Sequence, residues 1–215
     1  MIAIVDYGAG NLRSIRRALE SAGAETVITD DPSVVANADA VVFPGVGNAG
    51  HAMAKLDAMN LTPVIKDAVH AGKPFLGICL GMQLLFEDQE EGDTQGLGVL
   101  RGRVRTIAGD VKIPHIGWNR SRVVNPGPSG DIDEDRFYYF VHSYVVEPSD
   151  PADIAAQVEY GERFPSVVVR DNVWGTQFHP EKSGEDGLEL IRRFVDAAGE
   201  GSRSRAMLAS AESGG

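Results

Sequence analysis

The chain of 215 residues has one cysteine, Cys79. A single thiol excludes an internal disulfide and a thiolate zinc site, so any chemistry of Cys79 is that of a lone thiol in a reducing compartment, which points to the cytoplasm. No apolar run approaches the roughly 18 residues a membrane span requires. The opening Met1-Ile2-Ala3-Ile4-Val5-Asp6 has no basic n-region, so neither a transmembrane helix nor a secretory leader is expected. Basic residues are scarce: 20 Lys and Arg face 31 Asp and Glu, a formal charge of −11. That deficit argues against a non-specific nucleic-acid binder, which needs a basic face to neutralise phosphates. Zinc-helix, Walker and calcium-loop motifs are all missing. His51, His70, His115 and His142 stand at no metal-ligand spacing, so no metal and no cofactor are expected.

What is present is sufficient for one domain with a proper core, at 43% hydrophobic and 24% charged residues. The first half alternates short apolar runs with helical patterns. Residues 2–5 read as a buried strand, Leu12, Ile15 and Leu19 recur at helical spacing, and Gly23 stops them. Further strands begin at Val27 and Ala40, helices run near 48–58 and 62–71, and 74–78 is a strand leading into Cys79. Continuous apolar strands separated by helices predict an α/β fold, a mostly parallel central sheet with helices on its faces. After residue 99 the pattern changes to short β-rich runs at 103–107, 111–118, 137–146, 154–160, 166–170 and 173–178. Clusters such as Asn125-Pro126-Gly127-Pro128 punctuate these additional antiparallel strands. A last helix spans 185–198. The expected organisation is one domain over 1–198 and a disordered tail over 199–215. The acidic stretch 131–135 reads as a solvated loop.

The chemistry starts at Gly77-Ile78-Cys79-Leu80-Gly81, a small-x-nucleophile-x-small pattern between a strand and a helix. Such an elbow holds a nucleophile exposed on a strained turn, and a thiolate at a helix N-terminus is stabilised by the helix dipole and free N–H groups. A buried core cysteine is the competing reading. A thiolate attacking an amide needs a base. In Gly175-Thr176-Gln177-Phe178-His179-Pro180-Glu181, His179 ends a strand and Glu181 lies where a carboxylate orients an imidazole; a surface turn is the alternative there. Pro44-Gly45-Val46-Gly47 follows the third strand and offers backbone N–H groups to an oxyanion. Gly45, Gly47 and Gly50 also spell a dinucleotide-binding fingerprint. That fingerprint needs an acidic residue ending the next strand, and the chain offers Asp67 and His70 inside a helix instead.

These three motifs, in this order, resemble the class I triad glutamine amidotransferases. Asp6-Tyr7-Gly8-Ala9-Gly10-Asn11-Leu12-Arg13-Ser14, Ile113-Pro114-His115-Ile116-Gly117-Trp118-Asn119 and Tyr139-Phe140-Val141-His142-Ser143-Tyr144 resemble, more narrowly, the glutaminase subunits of imidazole glycerol phosphate synthases, over about residues 1–198. The resemblance implies that Cys79 attacks the side-chain amide of L-glutamine, that His179 carries the proton to the departing ammonia, and that Glu181 orients His179. It makes the Gly45 region and the Leu80 amide oxyanion donors and sets Gln83, His142, Ser143 and Tyr144 around the substrate. Gln83 also reads as an exposed helix residue. The implied partner is a (β/α)8 cyclase that takes the ammonia and converts PRFAR to imidazole glycerol phosphate and AICAR, with low glutaminase activity until it binds its own substrate. The partner face would include Asn11 and Trp118, the latter otherwise a plain core tryptophan. Other enzymes, and a non-catalytic interaction subunit that kept the fold, stand beside this as alternatives. Another triad amidotransferase, such as the glutaminase of anthranilate synthase, shares Cys79, His179 and Glu181 but not the Asp6–Ser14 or Trp118 stretches; a standalone cysteine hydrolase needs no partner.

Overall fold

Ile2–Val5 (β1), Ala40–Gly45 (β3) and Phe75–Cys79 (β4) are buried at every position, as continuous apolar strands are when helices cover both faces of a parallel sheet. The structure, a computed structural model, describes residues 1–126 and 134–212, with side chains through residue 199. Thr26–Thr29 (β2) pairs with β1, β1 with β3 and β3 with β4, all parallel. Leu12–Ser21 (α1), Ala49–Ala58 (α3) and Leu61–His70 (α4) lie where the periodicity predicts them. Pro32–Asn37 (α2) was not anticipated, although its start signal is legible: Pro32 opens it and the Asp31 carboxylate accepts from the Ser33 N–H at 2.7 Å.

Beyond β4 come the single turn Leu80–Gln83 (α5), Phe86–Gln89 (β5), Thr94–Gln95 (β6), Leu100–Thr106 (β7), His115–Val123 (β8), Arg136–His142 (β9), Tyr144–Pro148 (β10), Ile154–Tyr160 (β11), Glu162–Arg170 (β12), Val173–Thr176 (β13) and Gly184–Glu212 (α6). Among the described residues they complete two sheets. The larger runs β2-β1-β3-β4-β13-β12-β11-β8-β9, parallel as far as β13 and antiparallel from there on. The smaller runs β10-β7-β5-β6. Residues 137–146 are therefore two strands, not one. The chain leaves the large sheet at Ser143, whose carbonyl accepts from Ile107 N–H at 3.0 Å, and enters the small one. An unbroken run of β-forming residues carries no signal for such a change of sheet. The strand expected at 111–118 starts at His115, after Pro114, which has no N–H to give a ladder. The backbone of α6 continues past residue 198, through Arg203, Arg205, Ala206, Met207 and Leu208, all good helix formers. The side chains of the tail read from 199 lie outside the described residues from 200 on, as do 213–215 entirely.

Alternation along the parallel strands divides the core. Ile2, Ile4, Val42, Leu76 and Ile78 pack on one face with α1 and with Ile191 and Phe194 of α6. Ala3, Val5, Val41, Phe43 and Phe75 pack on the other with α3 and α4. Each fully buried side chain of this size contributes about 1.5–3 kcal/mol. An ion network holds the small sheet to the large one. Arg105 of β7 donates through Nε to Glu147 of β10 and, through its two terminal guanidinium nitrogens, to Glu162 of β12 at 2.6 and 2.7 Å. In the acidic stretch, residues 131–133 lie outside the described set. Glu134 and Asp135 pair with Arg136 and Arg120, both at 3.0 Å. No helix among the described residues is long and apolar enough to cross a membrane.

Candidate active site

In the parallel half of the sheet Gly45 lies opposite Cys79, and Thr176 opposite Ile78. The segments after β3, β4 and β13 therefore open at one carboxyl edge, where ligands collect in such sheets. The elbow is there: Cys79 has φ +56° and ψ −114° between β4 and α5, a backbone state that a non-glycine residue keeps only when its surroundings impose it. Two glycines allow the close approach. A Cβ on Gly81 would drive into the Phe43 carbonyl, and one on Gly77 would lie 2.9 Å from the Met82 Cα. One expectation needs correction. α5 has four residues, so its dipole is small and the thiolate depends on local donors instead. Both readings of Cys79 hold in part: it is 6% exposed and belongs to the core on one side, yet it lines a cleft on the other.

His179 reaches that cleft from β13. Its N–H bonds the Tyr139 carbonyl at 3.1 Å, and the Ser183 hydroxyl closes the next turn on its carbonyl at 2.7 Å. The tight turn Pro180–Lys182 folds Glu181 back, and His179 Nδ1 meets Glu181 Oε1 at 2.9 Å with the two side chains 4% and 0% exposed. This is a sealed pair, not a surface turn. Burial alone lowers the His179 pKa; the hydrogen bonds and charges of Cys79 and Glu181 outweigh it and hold it at about 9. Nε2 is buried without a fully formed hydrogen bond among the described residues, and Cys79 is close enough to raise the ring's pKa.

The cleft has a volume of about 430 Å³ and is lined by Cys79, Leu80, Gln83, His142, Ser143, Tyr144 and His179, with Val46 and Gly47 among the other lining residues. Gly45 sits behind it in β3, opposite Cys79. Gln83 is not an exposed helix residue. It is 5% exposed and its Nε2 donates to the Tyr144 carbonyl and to Gln177 Oε1, both at 3.0 Å. The His142 ring is engaged internally: Nδ1 bonds the Tyr144 carbonyl at 2.9 Å and Nε2 meets His115 Nδ1 at 3.1 Å. Burial pushes His142 down to about 3 and His115 to about 4, so this pair is neutral and braces the strand that edges the cleft. A larger cavity of about 620 Å³ lies elsewhere, against Arg103, Arg105 and Glu147; these charges pair with one another, and neither a cysteine nor a histidine is among its lining residues.

Trp118 is 58% exposed, which excludes the core reading. Ile116 and Phe137 are exposed as well, and in the β8–β9 ladder Ile116 lies opposite Val141, a cleft residue. An apolar outer face thus runs up to the cleft rim. Asn11 is exposed at the start of α1, and its side chain makes no capping bond. Two site residues escaped the sequence reading. Tyr7 is buried, with its hydroxyl unpaired among the described residues and packed so that a Cβ on Gly45 would sit 2.7 Å from it. Burial, then the charge of Cys79, lifts its pKa, against a backbone contact from Val46. Gln177 is fully buried and lies 3.8 Å from the Cys79 sulfur. Both fall inside quoted stretches, but periodicity does not distinguish them from core residues.

A strained thiol elbow facing a buried imidazole–carboxylate pair across a parallel sheet edge is acyl-transfer architecture, and a family model described as glutamine amidotransferase class-I matches residues 3–198. The chain belongs to that family. Within it, the chain is 48% identical over 204 residues to the imidazole glycerol phosphate synthase subunit HisH of Halobacterium salinarum, covering 91% of this chain and 92% of that one. It is 47% identical to the protein of the same name from Syntrophotalea carbinolica, covering 91% and 100%. Among solved structures, a glutamine amidotransferase superposes with a TM-score of 0.74 at 21% identity, covering 93% of this chain and all of that one. This likeness bears on the fold alone.

Proposed function

We propose that the chain is the glutaminase subunit of an imidazole glycerol phosphate synthase. It hydrolyses L-glutamine to glutamate and ammonia, and a (β/α)8 cyclase subunit uses the ammonia to convert PRFAR to imidazole glycerol phosphate and AICAR. The observation that carries this reading is the Cys79 thiol on its strained elbow beside the sealed His179–Glu181 pair. Identity of 48% across nearly the whole of the named subunit supports the particular reaction.

In this reading His179, with its pKa held at about 9, takes the Cys79 proton, and the thiolate attacks the γ-carbonyl carbon of glutamine. The Gly45 segment and the Leu80 amide stabilise the oxyanion. Collapse breaks the C–N bond while His179 returns its proton to the leaving nitrogen, so ammonia departs and a γ-glutamyl thioester remains. Water, relieved of a proton by His179, then adds to the thioester carbon. The C–S bond breaks, glutamate leaves and the sulfur recovers its proton. Glu181 keeps Nδ1–H engaged throughout, which fixes the ring and stabilises the imidazolium. Gln83 and the His142–Tyr144 backbone hold the substrate. The outer face with Trp118 and Asn11 receives the cyclase, close to the rim through which ammonia leaves.

The test is Cys79→Ser in a complex with the cyclase. Glutamine-dependent synthesis of imidazole glycerol phosphate should vanish while synthesis from added ammonia survives. Retained glutamine use would refute the nucleophile, and co-purification with a chorismate-using partner would replace the reaction.

A further inference from the structure

Cys79 carries negative charge twice in the proposed cycle, once as the attacking thiolate and once as the group expelled from the thioester. The single turn α5 supplies little dipole to hold that charge. The Val141 carbonyl, 4.0 Å from the sulfur, suits the thiol proton and opposes the thiolate. Gln177 also approaches the sulfur. Its backbone N–H is anchored on the Ser166 carbonyl at 2.9 Å, its side chain is sealed from water, and its Nε2 is 3.8 Å from Cys79 Sγ.

Hydrogen-bond bookkeeping settles which end of this amide faces the sulfur. One end of the Gln83 side chain stands 3.0 Å from both the Tyr144 carbonyl and an end of Gln177. An oxygen at that end of Gln83 would face the Tyr144 oxygen, so Gln83 presents its NH2 there, and Gln177 must receive it with an oxygen. The NH2 of Gln177 is then left to point at Cys79, and in a dry site a donor and a charged sulfur each satisfy the other.

We propose that Gln177 is a further catalytic residue, whose side-chain amide donates a hydrogen bond to the Cys79 thiolate and is held donor-end-first by Gln83. This rests on Cys79 being the nucleophile. A neutral donor suits the task, because it supports charge on sulfur without pairing it as a fixed cation would, and strong pairing lowers nucleophilicity. When the C–S bond of the thioester breaks, the electron pair settles on a sulfur that already faces an N–H, so the amide assists deacylation as well as attack.

Iodoacetamide alkylation of Cys79 near neutral pH, in the full chain without glutamine, reads the thiolate directly. Gln177→Met removes the donor, and Gln177→Glu keeps the shape while placing an acceptor against the sulfur. Alkylation should slow by about tenfold in the first and further in the second, with kcat for glutamine falling and KM nearly constant. Wild-type alkylation rates in both variants overturn the proposal, and a purely structural role would raise KM and leave alkylation unchanged. Cys79→Ala provides a check that needs no change at Gln177: it should move one glutamine side-chain NH2 pair in the 15N–1H spectrum, and no movement also overturns the proposal. If Cys79→Ser abolishes glutamine use while the Gln177 variants alkylate at the wild-type rate, the nucleophile stands and this inference falls. Retained glutamine use in Cys79→Ser refutes the nucleophile itself.

Discussion

The large sheet is two sheets in behaviour. In its parallel half, β2-β1-β3-β4-β13, every strand ends on the same side, so Gly45, Cys79 and His179 meet although about a hundred residues separate the second from the third. In the antiparallel half, β12-β11-β8-β9, strand ends alternate and no common edge exists. Here the side chains divide by face: His115 and Ser121 turn inward, Ile116 and Trp118 outward. Parallel pairing therefore suits assembling a reaction centre, and antiparallel pairing suits presenting a surface. The two join at His142–Tyr144, where β9 ends and the cleft begins.

If that division is right, the largest losses of activity follow changes at the parallel edge. His179→Ala should lower glutaminase kcat by about a thousandfold or more, since base and acid vanish together. A loss below about tenfold would move the proton carrier elsewhere. The same residue gives a pH signature. Its pKa is raised from 6.5 to about 9, so the stability it contributes is complete below pH 6.5 and fades as pH climbs toward 9. The gap in Tm between wild type and His179→Ala should narrow across that window, and a constant gap would count against the raised value. Glu181→Gln comes next, at about a hundredfold in kcat, and NMR should show the His179 titration midpoint falling because one of its two supporting charges is gone.

Legibility in the sequence follows the same division. The parallel half could be read because buried strands and amphipathic helices have distinct periods, and because an elbow needs Gly77 and Gly81 in fixed places. The antiparallel half was read in part: its strands at 154–160 and 166–170 stand in the chain, but β-forming residues run unbroken through Ser143 and give no notice that the chain changes sheets there. Cys79, His179 and Glu181 were legible as motifs. Gln177 and Tyr7 were not, since a buried polar residue looks like its neighbours until the hydrogen-bonding partners are known. The dipole argument for Cys79 failed for a local reason: nothing before Leu84 signals that α5 ends after one turn.

Trp118→Ala tests the surface half of the comparison. Trp118 is 58% exposed, so stability of the chain alone should change by less than about 0.5 kcal/mol. Affinity for the cyclase, measured by calorimetry, should fall by about 2 kcal/mol, near thirtyfold, as expected of an aromatic anchor. Unchanged affinity would remove Trp118 from the docking face, and a large loss of stability would mean that the ring packs more than its exposure indicates.

The smallest effect is expected where the two sheets are tied together, far from the chemistry. Arg105 joins β7 to Glu147 and Glu162 with its side chain 22% exposed, and its hydrogen bonds are the main reason both carboxyls lie below their ordinary value of 4.5, with burial opposing it. Lowered carboxyl pKa values stabilise above that range, and the contribution disappears as pH falls through the folded-state values. Arg105→Met keeps most of the volume and removes the charge, so it should cost about 1.5 kcal/mol at neutral pH, a few degrees in Tm for a chain of this size. The deficit should shrink as pH drops below 4.5 and both carboxyls become protonated. Glutaminase kcat should be unaffected, because the network touches neither the elbow nor the cleft. Loss of activity in step with stability would show that the small sheet helps to position Tyr144 and the cleft beside it, and that the chemistry is not confined to the parallel half.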